Sequence, residues 1–470
     1  MDWVRPNNEM EDNFFGNKLI ERFEAMISNG RKIFFDAEEL TEVIDYFLEG
    51  ESFENASRAI EYGLQLYPTN IGYQVRFALL LSRQNKLNHA LKVLQDIERL
   101  EPSEPEILMT QGLVYSQLMQ HENAINCFKK AIPLLDYKED AFFNIALEHQ
   151  TAGNFREAIH YLKFSLKENK DNDAAIYELA YCYEMLGKNH ECANFLKLFT
   201  DFHPYSESAW YNLGICLHNY GEFDESIQAL DYAIAINTTF VAAYYSKASV
   251  LANMGKYREA LAVYQEVKGF DEPNALINYH IGDCNEQLGE YRDALFYYKK
   301  AVRQDEFLAD AWAGLAVVLD ELGKTKEAFP MIRKAVRYDT ENAEFWLIYA
   351  DIAERNNALG EAEGAFVRAT VLDRENADIW LDYSDMMNRT QTSIQAAEVL
   401  NKALTIFPQS ADLHYRMSCY LFEAGENEKA AKFLSSGLTL DFSMHDQLYD
   451  YMPSLRNNQH ANMLIGKYKK

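Results

Sequence analysis

Apolar and polar residues follow each other along this chain in a pattern that returns at fixed intervals. In residues 207–240, Trp210, Leu213, Gly214 and Leu217 recur at spacings of three and four, which places them on one face of a helix. Gly221 interrupts that stripe, and Phe223, Leu230 and Ala233 carry a second one. The same pair of stripes returns every 34 residues. A ruler of that length set at Ala37 fits twelve copies through Met444 with no insertion or deletion. The copies begin at residues 37, 71, 105, 139, 173, 207, 241, 275, 309, 343, 377 and 411. Each predicts a helix, a turn and a second helix.

Two columns of the ruler explain how the helices of a pair would pack. Position twenty holds Ala in ten of the twelve copies, with Cys192 and Ser226 in the other two. Position eight is small in eleven of twelve, as in Ala78, Gly112, Gly214 and Gly282, and only Ile44 departs. Small residues at both places let two helix backbones approach closely. Large residues at position four, such as Trp210, Trp312, Trp346 and Trp380, would fill the space to neighbouring helices. Glycine recurs at the break as Gly153, Gly187, Gly221, Gly255, Gly289, Gly323 and Gly425, where a helix end needs the left-handed conformation. Pro68, Pro102, Pro204 and Pro408 stand where a repeat closes, and proline cannot continue a helix. One helix pair cannot bury its apolar face alone, but stacked pairs can. A chain of 470 residues therefore need not form three separate globules.

The pattern W-x-x-L-G…A…F/Y…A…P at this period resembles the tetratricopeptide repeat (TPR) family. The resemblance covers 37–444, nearly nine-tenths of the chain. It implies an all-α fold: a right-handed α-solenoid superhelix of about twelve helix-turn-helix units with helical caps, whose first helices line a concave groove. Residues 1–36 are expected to form a loose tail (1–16) and a capping helix (17–29), 37–444 the repeats, and 445–470 a truncated, degenerate repeat that caps the C-terminal end. In that last segment Pro453 interrupts the first helix and 459–468 supplies a short second one. The opening RKIFFDAEELTEVIDYFLEGESFENASRAIEYGLQLYP also resembles the start of uncharacterised TPR proteins of Bacteroidota bacteria. The copies FWLIYADIAE and IWLDYSDMMN, with W-x-x-Y spacing, resemble half-a-TPR repeats of RNA-processing scaffolds.

Charge narrows the partners. Asp and Glu number 72 against 45 Lys and Arg, a net charge of −27. That field repels a phosphate backbone and an anionic membrane surface, so no direct nucleic-acid or membrane contact is expected. The six cysteines (Cys127, Cys182, Cys192, Cys216, Cys284 and Cys419) form no C-x-x-C pair, which offers neither a zinc site nor a redox motif. With no basic and apolar leader at the N-terminus and no stretch of about 18 apolar residues, the expected location is cytoplasmic.

No chemistry-bearing motif stands out. None of the eleven histidines forms H-E-x-x-H or a metal-spaced pair, and P-loop, dinucleotide-binding and G-x-S-x-G signatures are missing. No catalytic residue, cofactor or metal is expected, and the chain reads as a non-enzyme.

The TPR resemblance implies that positions two, five, six, nine, twelve and thirteen of each first helix face the groove. The Lys and Asn of the carboxylate clamp in chaperone-binding TPR domains are missing here: position five has no Lys and position nine no Asn. Between 71 and 240 these columns are apolar. Position five gives Val75, Met109, Phe143, Tyr177 and Tyr211, and position nine gives Leu79, Leu113, Leu147, Tyr181 and Ile215. Residues four apart share a helix face, so a stripe suited to an apolar peptide segment is expected. Between 275 and 410 the columns hold eleven carboxylates, among them Asp283, Glu286, Asp320, Asp351, Glu354, Asp382 and Asp385, against only Arg355 and Arg389. That zone suits a basic segment. The reading is a non-catalytic scaffold that holds a protein or peptide partner in its groove. A self-assembly module, forming homo-oligomers, is the alternative, followed by an RNA-processing scaffold without direct RNA contact.

Overall fold

The computed structural model describes residues 8–30, 32–267 and 273–469, with side chains from residue 18 onward. Among the described residues the regular structure is helical, with no strand. First helices begin at Ala37, Ile71, Pro105, Glu139, Asp173, Glu207, Val241, Ala275, Ala309, Ala343, Ala377 and Ala411, each on a mark of the 34-residue ruler. The residue just before the mark explains the precision. Asn70, Asn172, Ser206, Asn274, Asn342, Asn376 and Ser410 each accept a bond from a backbone N–H in the helix's first turn. Such caps satisfy donors that the helix itself leaves unpaired.

The first helix ends at a left-handed residue at position fifteen. The seven glycines of that column all have positive φ, and Glu51, Asn85, Met119 and Asn357 adopt the same conformation without being glycine. The copy starting at 377 differs. Its first helix, Ala377–Thr390, is as long as Glu207–Tyr220, but where Gly221 closes that one in the left-handed region, Gln391 keeps φ −131°.

Close packing within a pair has a geometric cause. A Cβ on Gly112 would lie 2.3 Å from the Phe128 ring, and one on Gly214 would lie 2.7 Å from Leu230. The position-eight residue thus meets the large side chain at position twenty-four. All twelve residues of position twenty are fully buried. Three position-four tryptophans tie down the preceding loop: the Nε1–H of Trp210, Trp312 and Trp346 donates to the carbonyl six residues earlier, at 2.9, 2.8 and 3.0 Å, whereas the buried Nε1 of Trp380 makes no such bond.

The chain divides into two compact units, 1–243 and 244–470. Each is an α-solenoid of stacked helix pairs. In unit one the capping helix spans Asn8–Asn29, nine residues longer than the sequence suggests. No proline follows Pro6 before its end, so every residue in it keeps its backbone N–H, and Gly16 does not break it. Phe23 is fully buried, its ring 5.8 Å from Phe35 and 5.9 Å from Phe47. Residues 1–7 of the expected tail lie outside the described residues.

In unit two the chain closes with short helical turns. Helix Gln447–Tyr451 stops before Pro453, and helix Gln459–Tyr468 packs on helix Asn427–Leu440. Leu448, Leu455, Ala461 and Ile465 bury the end of the stack.

Candidate partner-binding surfaces

In unit one, two successive first helices bring four of the expected stripe residues together. Tyr177 and Tyr181 come from helix Asp173–Met185, and Tyr211 and Ile215 from helix Glu207–Tyr220. They line one cleft of about 250 Å³. Glu184 and the amides of Asn189, Asn212 and Asn219 add polar groups to its walls. The Tyr177 and Tyr211 ring centroids are 6.0 Å apart, and Phe240 lies 5.0 Å beyond Tyr211. Burial, with Tyr211 next, pushes the Tyr177 hydroxyl up to about 12, so at neutral pH it stays protonated and can donate.

The remaining stripe residues differ among themselves. Leu113 is 39% exposed, as is Tyr177, and Tyr181 is 45% exposed. Leu79, Met109, Phe143 and Leu147 are half-buried. Met109 packs beside Phe128 and Ile145, and Phe143 leans on the cluster that contains Leu162 and Leu179. Val75 departs from expectation: it is fully buried, in a core cluster with Ala78, Leu94 and Ile107. Its short branched side chain stops inside the stack, where Tyr177 at the same ruler position reaches the surface. The apolar face is therefore patchy, with its best-formed concavity at 173–219.

In unit two the carboxylates meet cations that the column count had set apart. Residue i on one first helix faces residue i + 35 on the next. Arg355 pairs with Asp320. Arg389 grips Glu354 through two bonds of 3.0 and 2.9 Å. Asn388 donates to Glu423 at 3.2 Å in the same register. Asp385 accepts from both Arg416 and Tyr420. Three of the seven expected carboxylates are thus already neutralised in place. The expected acidic zone, with Arg355 and Arg389 among its carboxylates, is narrowed by this pairing, which sets each arginine against an acid of the preceding repeat.

One step earlier along the same register, Glu286 and Glu321 correspond to Glu354 and Arg389, so two acids occupy a place that elsewhere holds an ion pair. Glu286 accepts from the Tyr298 hydroxyl at 2.8 Å. Burial raises its carboxyl above the usual range, the Tyr298 bond opposes this, and Asp283 and Glu321 push it further up. Asp351 and Asp382 reach solvent, yet the helices packed around them strip away part of their hydration, and this partial desolvation is the first cause that raises both carboxyls. Asp382 is raised further by Asp351, Asp385 and Asp378; at Asp351, Arg355 and Arg389 partly offset the rise. One buried oxygen of Asp320, Oδ1, has no hydrogen-bond partner.

The column reading missed Arg416, Tyr420, Asn388 and Glu423 because it stopped at residue 410 and treated columns singly. Pairing each position twelve with the position thirteen of the following copy exposes the rungs 320/355, 354/389 and 388/423 directly in the sequence.

Among the described residues no group of three or more His, Cys, Asp or Glu is placed to hold a metal. No helix among them is long and apolar enough to cross a membrane.

Models of the tetratricopeptide repeat match residues 105–134, 150–213 and, in overlapping segments, 245–309, 286–337 and 313–378. The matched segments are tetratricopeptide repeats. TPR arrays typically mediate protein–protein interactions, and stacking such repeats creates extended surfaces that serve this purpose. No curated protein matches the chain. Among solved structures, the chain is similar to the APC/C hetero-tetramer Cut9–Hcn1, at 16% identity and a TM-score of 0.41, covering 87% of this chain and 95% of that one. It is also similar to YrrB, a TPR protein with an unusual peptide-binding site, at 22% identity and a TM-score of 0.30, covering 40% of this chain and 97% of that one.

Proposed function

We propose that the chain is a non-catalytic scaffold whose TPR first-helix faces bind protein or peptide segments, an apolar one on unit one and a basic one on unit two. The observation that carries this reading is the cleft formed by Tyr177, Tyr181, Tyr211 and Ile215. Aromatic walls with a few amides and one carboxylate suit an apolar side chain carried on a peptide backbone, because the rings supply area and the polar groups fix orientation.

The basic segment has a more specific place than a general negative field. At Glu286 and Glu321 the pairing pattern offers two carboxylates and no arginine, and among the described residues Asp351 and Asp382 carry no ion pair, the nearby arginines being engaged by Asp320, Glu354 and Asp385. A lysine or arginine from a partner would relieve the like-charge repulsion there. Such complementarity speeds encounter and selects partners more than it adds affinity.

The test is an affinity pull-down with the full chain at low and moderate salt, run beside the double variant Leu113→Asp, Tyr181→Asp. A partner lost from the variant supports the apolar half, and an unchanged set of partners overturns it. For the basic half, an arginine-rich decapeptide is titrated against wild type and Glu286→Gln, Glu321→Gln. The reading requires weaker binding to the variant and an on-rate that falls with salt. Light scattering over a concentration series separates the scaffold from a self-assembly module, which would grow with concentration.

A further inference from the structure

Position twenty is the tightest place in each repeat, and ten of twelve copies fill it with alanine. In the repeat that starts at 173 it holds Cys192, on helix Asn189–Phe202. Directly against it, from the next repeat, lies Cys216 on helix Glu207–Tyr220. The two sulfurs are 2.7 Å apart, well inside the roughly 3.5–4.0 Å at which nonbonded heavy atoms normally sit. Both side chains are buried, at 0% and 4% exposure, in one apolar cluster of unit one. Cys182 and Cys284 occupy the same position ten as Cys216, but the preceding position twenty is alanine in both cases, Ala158 and Ala260. Of the six cysteines, all among the described residues, only this couple has its sulfurs in contact.

We propose that Cys192 and Cys216 are a disulfide-forming pair that covalently staples two adjacent repeats when the protein meets a small-molecule disulfide oxidant. The thiolate of one cysteine attacks the oxidant, forming a mixed disulfide and releasing one thiol. The second thiolate then displaces the other half of the oxidant and closes the protein S–S bond. Two protein thiols and one oxidant disulfide become one protein disulfide and two small thiols, so protons and electrons balance. The sulfurs need to close by only about 0.7 Å to reach the bond length of roughly 2.05 Å.

The setting makes the exchange slow and its product durable. Contact with the partner thiol, and then burial, push the Cys192 thiol up, so little thiolate is present in the closed structure. Oxidation requires helices Asn189–Phe202 and Glu207–Tyr220 to part, and reduction meets the same barrier. Cys216 also lines the aromatic cleft, and so does Asn189 on the helix that carries Cys192, so the staple ties one wall helix, Glu207–Tyr220, to the helix that closes the cleft's polar edge. The bond itself does not depend on the cleft's having a ligand.

The experiment uses the full chain, unfolded and refolded in glutathione disulfide or in dithiothreitol, then denatured with an alkylating agent. Peptide mapping should find six alkylated cysteines after dithiothreitol and four after the oxidant, with a linked pair of peptides carrying Cys192 and Cys216. The oxidised protein should melt about 5–10 °C higher. Cys192→Ala and Cys216→Val borrow residues that the same columns carry in other repeats, and each should abolish both effects. Six alkylated cysteines after oxidation, a link between other cysteines, or a linked pair with an unchanged Tm would each overturn the proposal. Should either variant fail to fold, the wild-type peptide map still decides.

Discussion

At the aromatic cleft of unit one, first helices Asp173–Met185 and Glu207–Tyr220 meet through rings: Tyr177 lies 6.0 Å from Tyr211, and Phe240, in the loop before the next first helix, lies 5.0 Å beyond it. Nearer the N-terminus, by contrast, Arg76 pairs with Asp45 and Glu106 of the flanking first helices. In unit two, consecutive first helices meet through charges and amides: Asp320 with Arg355, Glu354 with Arg389 and Asn388 with Glu423. Both arrangements sit on one 34-residue period, and the buried columns behind them hardly differ. The core sets where the first helices lie, and the facing side chains are then free to diverge. A surface that joins its own helices by stacking leaves aromatic area to spare, whereas one joined by ion pairs exposes only those acids the ladder does not use.

The largest expected effect tests whether the ladder carries structural weight. Arg416 is buried, bonds to Asp385 and stacks 3.3 Å above the Tyr451 ring centre. Replacing it with Met keeps much of the packing volume but leaves Asp385 with only Tyr420. Asp385 is about one-third exposed (32%), so water recovers part of the loss, and a cost of about 2 kcal/mol is expected. Thermal unfolding followed by circular dichroism should show part of the transition several degrees lower. A transition at the wild-type temperature would make the ladder a surface decoration.

The matching test in unit one should be nearly silent in stability. Tyr181 and Leu113 are exposed, so changing each to Asp should alter stability by no more than about 0.5–1 kcal/mol. Capture of an apolar peptide should nevertheless fail. A large loss of stability would mean that these side chains serve the stack, and the contrast between the two faces would weaken.

Much of this was legible in the sequence. Every first helix begins on a ruler mark because the caps and the small columns recur at fixed phase, and both are local or nearest-neighbour features. The cleft tyrosines were legible for the same reason: their columns are fixed by that phase. Val75 was not, because exposure at position five depends on how far a side chain reaches, and the column treats Val and Tyr alike. The neutralised acids were hidden because an ion pair between repeats is a property of two columns read together. The sulfur contact of Cys192 and Cys216 was hidden likewise, since it joins position twenty of one copy to position ten of the next.

A smaller effect concerns the unpaired acids. Asp351 and Asp382 are both held above the ordinary carboxylate range, chiefly by partial desolvation, so the folded state binds their protons more tightly than the unfolded chain. Their favourable contribution is fully present below the ordinary pKa of about 3.9 and is lost as the pH rises through the raised values. At neutral pH both charges oppose folding. Asp382→Asn should therefore stabilise the fold slightly at pH 7, by less than about 1 kcal/mol because solvent screens an exposed group, with a small rise in Tm and no gain below pH 4. Binding of the arginine-rich decapeptide should move the opposite way and weaken. A variant less stable than wild type at pH 7 would show that this carboxylate supports the ladder rather than straining it.

The smallest effect lies in the turns, and here too the units differ. Unit one closes three first helices on non-glycine residues in the left-handed region, Glu51, Asn85 and Met119, whereas unit two has Asn357 alone among its described residues. Met119 sits at φ 58° with its side chain 66% exposed, so it contributes little packing there. The left-handed conformation costs a non-glycine residue about 1–2 kcal/mol. Glycine removes that strain but loses about 0.5–1 kcal/mol through the greater freedom of the unfolded chain. Met119→Gly should thus stabilise by roughly 0.5 kcal/mol, a shift readable in careful denaturant titration. Asn357→Gly should gain less, because asparagine tolerates this region better, and Gln391→Gly should gain nothing, because Gln391 keeps a negative φ. Equal losses at all three sites would mean that glycine's general cost in the unfolded chain, rather than strain at the turn, decides the outcome.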